Sequence, residues 1–156
     1  IVSAHVTQQP NDKQEIEPSL EHLAVLPEEL GAVTDLIADS GYFSEANVAA
    51  CEKRELTPFI AAGRKEHHEP LWDRFREPPP LSDNADAAAR MKHRLGTTAG
   101  KAVYALRKTT SEPVFGIIKA VMGFRSFSMR GFEKAQGEWN LACIAWNIKR
   151  LHALTT

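Results

Sequence analysis

Hydrophobic positions change period near the middle of this chain. Up to about residue 62, short apolar runs alternate with short helical stretches; beyond residue 85 the spacing is helical nearly throughout. Ile1 to Thr7 alternates weakly and reads as a strand, ended by the turn chemistry of Gln8-Gln9-Pro10-Asn11-Asp12. Over 13–24, Ile16, Leu20, Leu23 and Ala24 recur at helical spacing behind a cap at Asn11 or Asp12, and a second helical piece starts at Pro27, where proline suits a first turn. Asp35-Leu36-Ile37-Ala38-Asp39 is a buried-strand signature stopped by Ser40-Gly41. Ser44 predicts the N-cap of a helix over 45–54 with Val48, Ala49 and Cys51 facing inward, and Thr57 to Ala62 predicts another strand. Strands and helices alternating at this spacing predict an α/β layer with partly parallel pairing.

Residues 63–84 have no sustained period and carry Glu77-Pro78-Pro79-Pro80, so they read as a linker or surface insertion. His67-His68 between Glu66 and Glu69 is a solvated loop on this reading, because adjacent side chains diverge and no spaced Cys or His completes a metal set. The helical remainder divides into 85–95, 100–108, 111–122 and 130–153. In the last of these, Phe132, Ala135, Trp139, Ala142, Cys143, Trp146 and Leu151 fall mostly on one face and read as a core stripe of a long helix covering the sheet. Three regions follow: 1–62 as α/β core, 63–84 as linker or insertion, and 85–156 as a helical, basic part.

Composition adds little to this picture, and charge adds a good deal. With 43% hydrophobic and 25% charged residues the chain is of ordinary globular type. No apolar run approaches the ~18 residues that span a bilayer and no secretory signal opens the sequence, so it reads as cytoplasmic. Cys51 and Cys143 have no CxxC or His spacing and read as reduced, buried thiols. The chain opens at Ile1 without an initiator Met and reads as a fragment. Its formal net charge of −1 conceals an asymmetry: residues 1–80 hold 7 Lys and Arg against 15 Asp and Glu, whereas residues 81–156 hold 12 against 5, a net of +7. A basic half that also carries Tyr, Phe and Trp points to a polyanionic partner, nucleic acid first.

Two carboxylates stand out against that background. Asp39 lies at the carboxyl end of a strand, where α/β sheets place ligand-binding loops, although Asp before Ser-Gly also serves as a turn residue bonding its own backbone. Glu112 precedes Pro113 at the expected start of a helix and lies inside a basic stretch. Its plain role there is to complement the helix dipole, worth about 0.5 kcal/mol. Glu112 and Lys119 are two turns apart on one face, and Tyr104 and Arg107 share a face of the preceding helix. Carboxylates in a cationic groove suit metal-assisted chemistry on a phosphodiester, with Arg, Lys and Tyr holding the backbone.

Several motifs together resemble the DDE transposases of bacterial insertion sequences, in the branch with a Tyr-Arg-Glu-Lys signature. They are Ala38-Asp39-Ser40-Gly41-Tyr42; Tyr104, Arg107, Glu112 and Lys119 with two, four and six residues between them; Glu112-Pro113-Val114-Phe115-Gly116; Gly123-Phe124-Arg125 with Phe127 and Arg130-Gly131; and Glu138-Trp139 with Leu141. The interval from Arg107 to Glu112 is one residue longer than in the best-known form of that signature. The resemblance implies an RNase H-like fold, a mixed sheet with flanking helices whose C-terminal half is mostly helical. It also implies a catalytic Asp, Asp and Glu binding two Mg2+ ions, with Mn2+ able to substitute.

On this resemblance Asp39 matches the second Asp and Glu112 the Glu, both catalytic and both metal ligands. Tyr104, Arg107, Lys119, Arg125 and Arg130 match positions that bind DNA. The first Asp belongs to a strand upstream of Ile1, so the N-terminal strand or strands of the fold are expected to be missing and the fragment inactive. The implied partner is double-stranded DNA, both transposon ends and target, engaged as a homodimer without a small-molecule cofactor or membrane, in the bacterial cytoplasm and on the nucleoid when bound. Two readings stand beside DNA hydrolysis with strand transfer: an RNase H-like nuclease that only hydrolyses, and a non-catalytic DNA-binding remnant.

Overall fold

The computed structural model describes residues 1–63, 72 and 76–156. The His67-His68 pair and its flanking Glu66 and Glu69 lie outside the described residues. The chain forms two compact units, residues 10–107 and residues 1–9 with 108–156. Together the described residues form a mixed α/β structure of six α-helices and one two-stranded parallel sheet.

The unit formed by 10–107 is built on a β-α-β element. Strand β1 (Asp35–Ala38) runs parallel to β2 (Thr57–Ile60), with Asp35 opposite Thr57 and Ala38 opposite Ile60. Pro58, Phe59 and Ile60 are all buried, the continuous apolar run expected of a parallel strand covered on both faces. Helix α1 (Ile16–Ala24) buries Ile16 and Leu20, and α2 (Glu45–Lys53) buries Val48 and Cys51. Ser44 accepts from the Asn47 N–H at 3.1 Å and so caps α2 as its type predicts.

Val48 and Ile60 join Ala87 and Met91 of α3 (Ala87–Gly96) in one core cluster, while Ile16, Leu20 and Cys51 form a second. Leu36, Ala38 and Tyr42 touch both clusters, so the strand carrying the Asp39 loop is fixed from two directions. Each fully buried aliphatic side chain here contributes about 1.5–3 kcal/mol. Asn47, itself buried, donates to the Lys13 carbonyl at 2.8 Å and the Tyr42 carbonyl at 2.7 Å, tying the turn before α1 to the turn after β1.

Helix α4 (Thr98–Ala105) follows α3 with a one-residue corner at Thr97. The Thr97 hydroxyl donates to the Arg94 carbonyl at 2.8 Å and accepts from the Gly100 N–H at 2.9 Å, closing one helix and opening the next. A Cβ on Gly100 would meet the Arg94 carbonyl oxygen at 1.8 Å, so the corner admits no side chain there.

Helix α5 (Arg107–Ala120) starts four residues earlier than the sequence pattern predicts. Leu106 keeps right-handed helical geometry, φ −57° and ψ −25°, so α4 passes into α5 across a single turn residue. Pro113 consequently sits in the helix interior, where it lacks the N–H of a normal turn. Glu112 is therefore beyond the first turn, and the dipole role expected for it does not apply, because that effect fades within one turn.

In the other unit, α5 supplies the buried Ile118, and α6 (Phe132–Thr155) supplies Ala142 and Cys143. Phe115 of α5 stacks on Trp139 of α6 with ring centroids 6.2 Å apart and planes within 6°. The expected core stripe of α6 holds at Ala135, Trp139, Ala142, Cys143 and Trp146, whereas Phe132 and Leu151 are exposed, as are Leu141, Ile144 and Ile148.

Ile1 to Thr7 is extended as its alternation predicts, yet it is not a strand of the sheet. It runs antiparallel along α6 and is held by two side-chain amides. Asn147 bonds both the main-chain nitrogen of Ile1 (2.6 Å) and its carbonyl (2.7 Å), and Gln136 bonds the Val6 N–H (2.6 Å) and the Ala4 carbonyl (3.3 Å). The spacing matches for a simple reason. Eleven helical residues rise about 16 Å, and five extended residues cover nearly the same length at about 3.3 Å each. Each amide presents a donor and an acceptor to the backbone, as a neighbouring strand would.

Candidate nucleic-acid interface

Where β1 ends, Asp39 turns the chain into a single helical turn over Ser40–Tyr42. Its Oδ1 accepts the Ser40 N–H at 2.7 Å, so the self-capping role read from Asp-Ser-Gly is realised. Its Oδ2 does something further: it pairs with Arg107 Nη1 at 2.7 Å. Arg107 in turn lies over the Tyr104 ring, 5.4 Å from its centroid. The Ser40 N–H first, and the Arg107 guanidinium after it, hold the Asp39 carboxyl below its usual range, so it is ionised at neutral pH.

Three residues singled out from sequence, Asp39, Tyr104 and Arg107, are thus brought together within one unit. The side chain of Arg107 is 26% exposed and that of Asp39 58%, so the pair is a rim arrangement with its carboxylate facing water. Close by, a Cβ on Gly41 would stand 2.8 Å from Asp12 Oδ2, which places the Asp12 carboxylate against this turn. Burial raises the Tyr42 pKa, and the charges of Asp12, Glu15 and Asp39 raise it further.

Glu112 and Lys119 belong to the other unit, on the exposed surface of α5 and two turns apart. Beyond them α5 ends at Ala120 and the chain turns at Gly123, whose φ of +74° is the left-handed geometry that glycine adopts without penalty, and the Phe124 N–H returns to the Ile118 carbonyl at 3.1 Å. The chain then loops out over 124–130 and enters α6 through Gly131, φ +98°. Arg125 and Arg130 are both exposed on that loop. The loop is pinned by Phe124, which contacts Trp139 (5.8 Å) and meets Phe127 edge-on (5.5 Å). Glu138 pins it again, accepting the Ser128 N–H at 2.9 Å and the Met129 N–H at 3.1 Å. These two N–H donors lower the Glu138 pKa.

Residues 81–152 match the transposase DDE domain. The matched stretch holds 72 of the 156 residues, among them Tyr104, Arg107, Glu112, Lys119, Arg125, Arg130 and Glu138. No curated protein and no solved structure gives a match. Asp39 lies outside the matched stretch and is joined to it by the ion pair with Arg107.

The divalent ions implied by such a domain need several oxygen ligands. Among the described residues, no group of three His, Cys, Asp or Glu side chains converges as a metal site. Asp39 offers one ionised carboxylate already engaged by a guanidinium, and Glu112 lies in the other unit. The described residues do not make a complete metal centre, and no chemical step is assigned to one. Among the described residues no helix is long and apolar enough to cross a membrane.

Sequence reasoning named the cations but missed their scaffold. Glu138 and Trp139 were visible as a motif, yet nothing in an interval of ten residues says that a carboxylate turns back to hold two backbone N–H groups. Asn47 was missed too, because its partners, Lys13 and Tyr42, are fixed by tertiary packing.

Proposed function

We propose that this chain works on double-stranded DNA in transposition, as part of a DDE domain whose reaction class is phosphoryl transfer: hydrolysis at transposon ends followed by strand transfer. The observation that carries this reading is the match over 81–152, which includes every basic residue of the +7 half. The roles follow from chemistry. Lys119, Arg125 and Arg130 are exposed cations suited to phosphate oxygens, contacts that fix register without reading sequence. Arg107, lying over the Tyr104 ring, holds the Asp39 carboxylate, and Asp39 and Glu112 are proposed as catalytic carboxylates. In a complete domain Mg2+, or Mn2+ in its place, would supply charge neutralisation at phosphate.

A second reading, a DNA-binding unit that does no chemistry by itself, rests on the basic half and its exposed cations alone. NMR of the chain with a short DNA duplex tests both. Amide shifts concentrated at Lys119, Arg125 and Arg130 are expected, and shifts spread at random over the surface overturn the DNA assignment. Added Mn2+ should broaden resonances at Asp39 and Glu112 in the presence of duplex. Broadening at neither leaves DNA binding standing and removes the two carboxylates from the proposed reacting site.

A further inference from the structure

We propose that the 123–131 loop is a preformed clamp for the DNA phosphate backbone and that Glu138 is its positioning residue, an anion that strengthens binding to a polyanion. This rests on the DNA reading above and adds a role that neither charge nor motif supplies. The loop is bounded by two glycines of positive φ, Gly123 and Gly131, so its ends are sharp turns that side-chain-bearing residues would strain. Between them Arg125 and Arg130 project from exposed positions, and among the described residues neither guanidinium makes an ion pair.

A seven-residue excursion, 124–130, carrying two exposed arginines would ordinarily lose much of its grip to the entropy of ordering on binding. Here the backbone at its tip is already fixed. Both Glu138 oxygens receive the Ser128 N–H, each at 2.9 Å, and one also receives the Met129 N–H at 3.1 Å, while Phe124 anchors the near end against Trp139. Hydrogen bonds from backbone donors to an ionised carboxylate are roughly twice as strong as neutral ones. Glu138 sits on α6, a rigid element of the same unit, so the loop inherits the helix as its support. Arg125 and Arg130 are thereby carried on a backbone that is held before any phosphate arrives.

The sign of one substitution separates positioning from charge. Removing an anion near a phosphate site strengthens DNA binding if electrostatics alone acts; removing the anchor weakens it. The 156-residue chain is titrated with a fluorescent duplex across a salt series, as wild type, Glu138→Ala, Glu138→Gln, the double variant Arg125→Ala/Arg130→Ala, and the triple combination, with thermal melts alongside. The double Arg variant should bind about tenfold more weakly, with a salt slope shallower by about 1.8, two contacts at about 0.9 each.

Glu138→Ala should approach that loss despite the more positive protein. Glu138→Gln, which retains acceptor oxygen but no charge, should fall between it and wild type. Adding Glu138→Ala to the double Arg variant should cost nothing further, since both act on the same contacts. Binding by Glu138→Ala equal to or tighter than wild type overturns the proposal. So does full additivity in the triple variant, or, if Glu138→Ala fails to fold, an unchanged slope in the exposed Arg variants. A wild-type chain that binds no duplex defeats the DNA reading as well; a wild type that binds with a slope indifferent to Arg125 and Arg130 defeats the clamp alone.

Discussion

Asp39 is shared between two partners, the Ser40 N–H and the Arg107 guanidinium, and their effects on its ionisation can be separated by mutation. In Arg107→Ala the Asp39 pKa should move up toward the ordinary carboxylate value without reaching it, because the stronger influence, the Ser40 N–H, remains. Carboxyl NMR titration reads this directly, and an unmoved pKa shows that the pair does not form in solution. The linkage sign follows from the lowered pKa. Asp39 stabilises the fold above its unfolded-state value near ~3.9 and loses that contribution as pH falls through the folded value. With the carboxylate mostly in water the contribution is small, at most about 1 kcal/mol.

Residue type and spacing raised Asp39, Tyr104 and Arg107 as candidates, and the family resemblance gave them roles. That Arg107 serves Asp39 could not be read from them, since a salt bridge across 68 positions is a product of the sheet and of the α3–α4 corner. Asp39 as a self-capping turn residue was readable, and it proved compatible with the ion pair because its two oxygens divide the work.

Elements were legible wherever local chemistry decided them. β1, α2 with its Ser44 cap, and β2 follow the apolar period, as does the start of α3 at its Asp86 cap, except that Ala49, expected to face inward, is exposed and Asn47 is buried instead. The failures come from context beyond the local pattern: helix continuity at one place, tertiary contacts at the other. Pro113 announced a helix start and instead lies within α5, since the chain was already helical from Arg107. Ile1 to Thr7 announced a strand and found its backbone partners on the side chains of a helix.

Two substitutions probe these elements. Gly100→Ala should destabilise the 10–107 unit by about 1–3 kcal/mol in denaturant melts, because its Cβ collides with a main-chain carbonyl that cannot rotate away. A neutral outcome means the Thr97 corner is looser than described. Gln136→Ala should remove the partner of the Val6 N–H and cost about 1 kcal/mol, with faster hydrogen exchange at Val6 while the α3 amides keep theirs. Unchanged exchange at Val6 would show that the segment is held by something other than that amide.

At the scale of the whole molecule the notable fact is how charge and chemistry are apportioned. The acidic N-terminal half supplies the sheet and Asp39, while the basic half supplies the helices, Glu112 and the exposed cations Lys119, Arg125 and Arg130. The match to the transposase DDE domain falls on that basic half. The central claim is that this half exists to hold DNA, and the salt dependence of binding to a duplex tests it most directly. Three phosphate contacts at about 0.9 each predict that log K falls against log salt with a slope near about −2.7, and Lys119→Ala should make it shallower by about 0.9. Binding that is absent, or that is flat with salt and indifferent to Lys119, contradicts the account.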